Sequence, residues 1–168
     1  MPLNLSDHRS GGPALWYRDG SATSFILRGY LPWLGGLNLA WETAHVPLYT
    51  LWSEASGSYI AFSIVHCTLG DLAIGASALL IALVLTRSEA LICWRWPRIM
   101  GLTVIMGASY TIFSEWMNLA RESWTYSDLM PVIRGFGVEV GLSPLAQWLL
   151  IPPLAFGLAR RHAPGSLK

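Results

Sequence analysis

Four long apolar runs alternate with short polar or mixed connectors along the chain. A hydrocarbon core of about 30 Å needs roughly 20 helical residues at about 1.5 Å each, and every run meets that length. The pattern predicts membrane spans near 25–51, 59–85, 98–119 and 143–160. The expected architecture is all-α: a polytopic membrane protein built as a four-transmembrane-helix bundle. Residues 1–23 form an N-terminal segment, 24–160 the transmembrane domain and 161–168 a tail. In the fourth run, Ser143 suits an N-cap and Pro144 the first helical position, where a missing N–H costs nothing. Its Pro152–Pro153 pair predicts a kink. The stretch "LARESWTYSDLMPVIRGFGVEVGL" before it has mixed polarity and contains Gly, Trp and Tyr. It reads as a loop or an amphipathic piece on the membrane interface.

Composition agrees: 53% of residues are hydrophobic and 12% charged, too apolar a balance for an ordinary soluble domain of this size. The net charge of +1 comes with no basic stripe interleaved with aromatics, so nucleic acid is excluded as a partner. Cys67 and Cys93 fall at opposite ends of this topology and offer neither an internal disulfide nor a CxxC metal spacing. Residues 1–23 lack the apolar core and cleavage site of a signal peptide, so the first span is expected to act as an uncleaved anchor.

Basic residues near span ends resist translocation. Arg9, Arg18, Arg28, Arg87, Arg95, Arg98, Arg160, Arg161 and Lys168 fall on one side, against Arg121 and Arg134 on the other. Both termini are therefore expected in the cytoplasm, with the protein in a bacterial inner membrane.

Ionisable side chains inside a span cost free energy and should face protein, water or a partner. There are five: Glu42, His45, His66, Asp71 and Glu115. Helical rise from the outer end of each span places His45 at about 9 Å, Glu42 at about 13 Å, His66 at about 11 Å, Glu115 at about 6 Å and Asp71 at about 18 Å. Cys67, Thr111, Asn118 and Gln147 lie at similar heights. All four helices can thus contribute to one polar pocket in the outer half. Glu42 and His45 share a helix face, as do Cys67 with Asp71 and Thr111 with Glu115.

The Glu42-x-x-His45 spacing is that of carboxylate-bridged metal sites in helical bundles, which His66 and Glu115 could complete. The leading expectation is a transition-metal site for zinc, iron, manganese or copper, with Asp71, Cys67, Thr111, Asn118 and Gln147 around it. Only one such turn is present, where a di-iron site would use two. Haem between His45 and His66 is a weaker alternative. The runner-up is a membrane enzyme acting on a lipid or isoprenoid-like substrate. In it Glu115 or Glu42 serves as acid, His45 or His66 as base, and Trp41, Trp116 and Trp148 stack on substrate. The layout is similar in kind to small bundle-type membrane isomerases, whose cavities are lined by His, Glu and Trp. A third possibility is a non-catalytic subunit, its polar groups satisfying one another or facing membrane protein partners or a second copy. The expected partner in every case is membrane lipid.

Overall fold

The computed structural model describes residues 15–135 and 138–162. The remaining parts of the N-terminal segment and of the tail, Arg9 and Lys168 included, lie outside the described residues. The chain is 79% helical, which supports the all-α class.

Four long helices carry the fold. Helix α1 runs through three consecutive stretches, Gly20–Ser24, a π-helical Phe25–Tyr30 and Leu31–His45. The Leu31 N–H reaches back five residues to the Ile26 carbonyl. Pro32 next to it has no N–H to give and its ring would crowd the carbonyl four residues earlier, so the widened turn absorbs the proline without breaking the helix. Helix α2 is Gly57–Leu85, α3 is Trp96–Ala120 and α4 is Leu142–His162.

The structure differs from the sequence reading in three main respects. Helix α1 stops at His45, short of residue 51, because Pro47 cannot donate the next helical bond; Val46–Leu48 tightens into a 3₁₀ turn instead. His45 therefore sits at the end of its helix and not a turn and a half inside. Helix α4 begins at Leu142, which puts Ser143 within its first turn, and continues through Pro152 and Pro153. The mixed segment after α3 contains an antiparallel β-hairpin, β1 Val132–Gly135 and β2 Val138–Gly141, in which Val132 opposes Gly141 and Arg134 opposes Glu139.

The helices form a closed ring in which α1 packs on α2, α2 on α3, α3 on α4 and α4 on α1. At the end holding the start of α1 and the α2–α3 connector, the ring is solid. Phe25, Tyr30, Leu34, Leu79, Leu83, Ile99 and Phe156 are buried there, and Phe25 meets Trp94 and Trp96 edge to face. Asp19 caps α1 through the Ser21 N–H and also accepts the Leu91 N–H at 2.7 Å, tying the helix start to that connector. Small residues let the helices close: Gly75 receives Leu34 and Gly107 receives the ring of Trp148. At the other end the ring opens.

Helices α2 and α4 are long and apolar enough to cross a membrane, with mean hydropathies of 2.1 and 1.4 over their best windows. Helices α1 and α3 do not meet the same measure.

Candidate functional site

The open end of the ring encloses a cavity of about 500 Å³, within the ordinary range for small-molecule pockets. The end of α1, the start of α2, the end of α3 and the start of α4 all contribute to its wall, so the helices alternate in direction around it. The lining includes Glu42, His45, His66, Cys67, Asp71, Thr111, Glu115 and Gln147, together with Tyr49, Tyr59, Phe62, Tyr110, Trp124 and Trp148. Among the described residues, no Lys or Arg lines it.

Two hydrogen-bonded groups occupy this wall. In the first, His45 Nε2 meets Glu42 Oε2 at 3.1 Å and His45 Nδ1 meets Ser143 Oγ at 3.0 Å, so a carboxylate and a hydroxyl fix the imidazole from both sides. Gln147 extends the group. Its amide nitrogen lies 3.0 Å from Glu42 Oε1, 2.8 Å from Asp71 Oδ2 and 2.8 Å from Asn38 Oδ1. Asn38 directs its own amide at the Leu34 carbonyl, which leaves its oxygen to accept from Gln147. Asn38, Glu42, His45 and Gln147 are all buried. The spacings Asn38, Glu42, His45 on α1 place them along one helix face.

In the second group, the Tyr126 hydroxyl donates to Glu115 Oε2 and accepts the Gly141 N–H at 2.8 Å. The phenol thereby joins α3 to the hairpin. Burial, then the Glu115 hydrogen bond, pushes the Tyr126 phenol well above its ordinary range. Tyr49 is also raised, by burial first and by Glu115 next. Both phenols remain protonated donors at neutral pH.

Above these groups the connectors form a roof. Tyr49 and Tyr126 pair as an isolated β-bridge, the Thr50 N–H donates to the Thr125 carbonyl at 3.1 Å and the Ser127 N–H to the Leu48 carbonyl at 2.9 Å. Tyr49 stacks its edge on His45 with centroids 5.4 Å apart and reaches Tyr126 at 5.6 Å.

The structure brings the candidate residues to one cavity but divides them. Glu42, His45, Asp71 and Gln147 form one cluster, and Glu115 belongs to the other. His66 lies in the lining but is exposed, stacked on Phe62 at 5.7 Å. Cys67 is a half-buried free thiol and Thr111 a buried lining residue. Asn118 turns its amide back to the Ser114 carbonyl at 2.8 Å. Among the described residues, no three His, Cys, Asp or Glu side chains are placed to hold one metal ion. Trp148 lines the cavity, whereas Trp41 packs against the closed core and Trp116 points outward.

Asn38, Ser143 and Tyr126 were not candidates from sequence. Asn38 had a legible signal, since it stands four residues before Glu42 on the same face. Ser143 looked like a cap, and Tyr126 like an interfacial aromatic. Comparison with protein-family models, with curated proteins and with solved structures finds no match.

Proposed function

We propose that this protein is a four-span integral membrane protein, with both termini cytoplasmic and most consistent with a bacterial inner membrane, whose outer-half pocket performs acid–base chemistry on a lipid-like molecule. The observation that carries the proposal is a single cavity lined by two separate carboxyl groups, each hydrogen-bonded to a second proton carrier, Glu42 to His45 and Glu115 to Tyr126. Aromatic side chains surround both.

The donors that a metal site would need are committed elsewhere: Glu42 to His45 and Gln147, Asp71 to Gln147, and Glu115 to Tyr126. That distribution favours proton transfer over metal binding. Each partner has a definable part. Both ring nitrogens of His45 are engaged, so it meets no ligand directly: it holds Glu42 and can share a proton with it, and the Glu42 carboxylate, which lines the cavity, is the group that exchanges a proton with a ligand. Ser143 does not line the cavity, so it orients the ring and is not a nucleophile. Gln147 faces three acceptors with two amide hydrogens, so it joins Asn38, Glu42 and Asp71 into one hydrogen-bonded cluster. Tyr126 fixes Glu115 Oε2, and Glu115 lines the cavity where a ligand can reach it. A proton added by one group can then be matched by one removed by the other, as in a double-bond shift or an enolisation.

The test uses full-length protein purified in mild detergent with its bound lipid and incubated in deuterated water. The wild type should incorporate deuterium at carbon in that lipid. Glu115→Gln and His45→Ala should retain the lipid and lose at least about tenfold of the exchange, the lower part of the range for general acid–base catalysis. Stoichiometric metal with no bound lipid would contradict the proposal.

A further inference from the structure

We infer that the pocket is filled sideways from the bilayer, through an opening between the outer halves of α2 and α3, by a lipid whose polar end is an uncharged hydroxyl or carbonyl. The inference rests on the membrane reading above and adds the route and the head group.

The opening follows from burial. Along α2 the buried residues are Thr68, Gly75, Ala78, Leu79, Ala82 and Leu83; none precedes Thr68. Before Thr68 every residue of this helix is partly or fully exposed, and several of them line the cavity. Tyr59, Phe62, His66 and Gly70 on α2 and Tyr110 on α3 are exposed and line the cavity at once, which is the property of a mouth. The lining residues of α1 and α4, by contrast, include the buried Glu42, His45, Gln147 and Trp148. They form the floor. From above, the roof strands joined through Thr50–Thr125 and Leu48–Ser127 cover the cavity. The mouth therefore faces the side of the bundle, and its exposed aromatic rim suits hydrocarbon. His66, read from sequence as a metal ligand, stands at this mouth.

The head group follows from the wall's charge balance. With carboxyl groups at Glu42, Asp71 and Glu115 and no Lys or Arg among the described lining residues, the pocket repels phosphate and carboxylate heads. An ammonium head gains little there either, because each carboxyl already has a protein donor and the cation would lose its hydration on entering from hydrocarbon. A hydroxyl or carbonyl can exchange hydrogen bonds with these groups without adding charge.

Gly70 supplies the probe of the route. A Cβ built there meets nothing within 4 Å, so a larger residue can start from this position without pushing on the helix packing. The experiment measures binding of radiolabelled farnesol to the full chain in detergent, with competition by farnesyl phosphate and farnesylamine, which share its tail. Farnesol should compete about tenfold or more better than either charged analogue. Gly70→Trp and, across the mouth, Tyr110→Trp should weaken binding about tenfold or more at unchanged melting temperature, while Gly70→Ala binds normally. Thr50→Cys/Thr125→Cys, whose side chains already meet at 3.0 Å, locks the roof in a Cys67→Ser/Cys93→Ser background. With the roof locked, the association rate should stay within about twofold of the reduced form. Tighter binding of phosphate or amine would overturn the head-group assignment and leave the acid–base reading standing. Unchanged binding in both tryptophan variants, or slow association with the roof locked, would overturn the route alone. Failure of all three probes to bind would overturn this inference, and the deuterium experiment then decides separately whether the acid–base reading survives.

Discussion

At the scale of single residues, the site is an exercise in satisfying buried polar groups. Gln147 is the side chain on which most of it turns, since one amide serves Asn38, Glu42 and Asp71. Removing it leaves Asn38, Glu42 and Asp71 without this donor. Gln147→Leu should cost about 1–3 kcal/mol, more than the roughly 0.6 kcal/mol averaged for one hydrogen bond inside a membrane protein. Thermal unfolding would register this as a fall of several degrees, and an unchanged melting temperature would mean that the amide does not bridge the carboxyls. The sequence made Glu42 and His45 legible as a pair because residues three apart share a helix face. It could not reveal that Gln147 and Ser143 on α4 complete the pair, because those contacts span about a hundred positions of the chain and depend on ring closure. Depth estimates placed Asp71 below the other groups. The structure joins it to Glu42 through Gln147.

At the scale of elements, the hairpin and the roof show how local chemistry is carried outward from α3. The Tyr126 hydroxyl is the hinge point, donating to Glu115 and accepting from Gly141. Tyr126→Phe should speed amide hydrogen exchange at Gly141 while the pairing of Arg134 with Glu139, an exposed ion pair at 3.1 Å, stays in place. The same phenol gives a pH prediction with a definite sign. Its folded pKa lies above the unfolded value, so the stability it contributes is complete below about pH 10 and declines as pH rises beyond that value. Denaturant unfolding followed above pH 10 should fall less steeply for Tyr126→Phe than for the wild type; parallel curves would sink the assignment. The four helices were readable from apolar run length. The hairpin was not, because its strands are four residues each and sit among Gly and Pro. The early end of α1 at His45 had a signal in Pro47, which the length criterion for a membrane span overrode.

At the scale of the whole molecule, a solid aromatic end and an open polar end divide the labour. The closed end, with Tyr30, Leu79, Leu83 and Phe156 buried, fixes helix positions. The open end is left free to hold a ligand. In the proposed topology, the α2–α3 connector with its exposed Cys93 faces the cytoplasm and the hairpin faces outward. A membrane-impermeant maleimide applied to intact spheroplasts should label Glu139→Cys in a Cys67→Ser background, and should reach Cys93 only after permeabilisation. Labelling of both from outside would refute four crossings. Charge asymmetry is what predicts this orientation from sequence, and α2 and α4 are long and apolar enough to cross a membrane. The contents of the pocket were less readable, because Glu and His at helical spacing suit a metal ion as well as a proton relay until the partners of each oxygen are known.

The most direct test of the central claim is native mass spectrometry of the full chain, released from mild detergent after purification without chelators or a histidine tag. The account predicts a lipid-sized adduct on the wild type that persists in Glu115→Gln and is lost in Gly70→Trp. A wild-type mass increased only by a metal ion, and restored to that of the bare chain by His45→Ala, would contradict it.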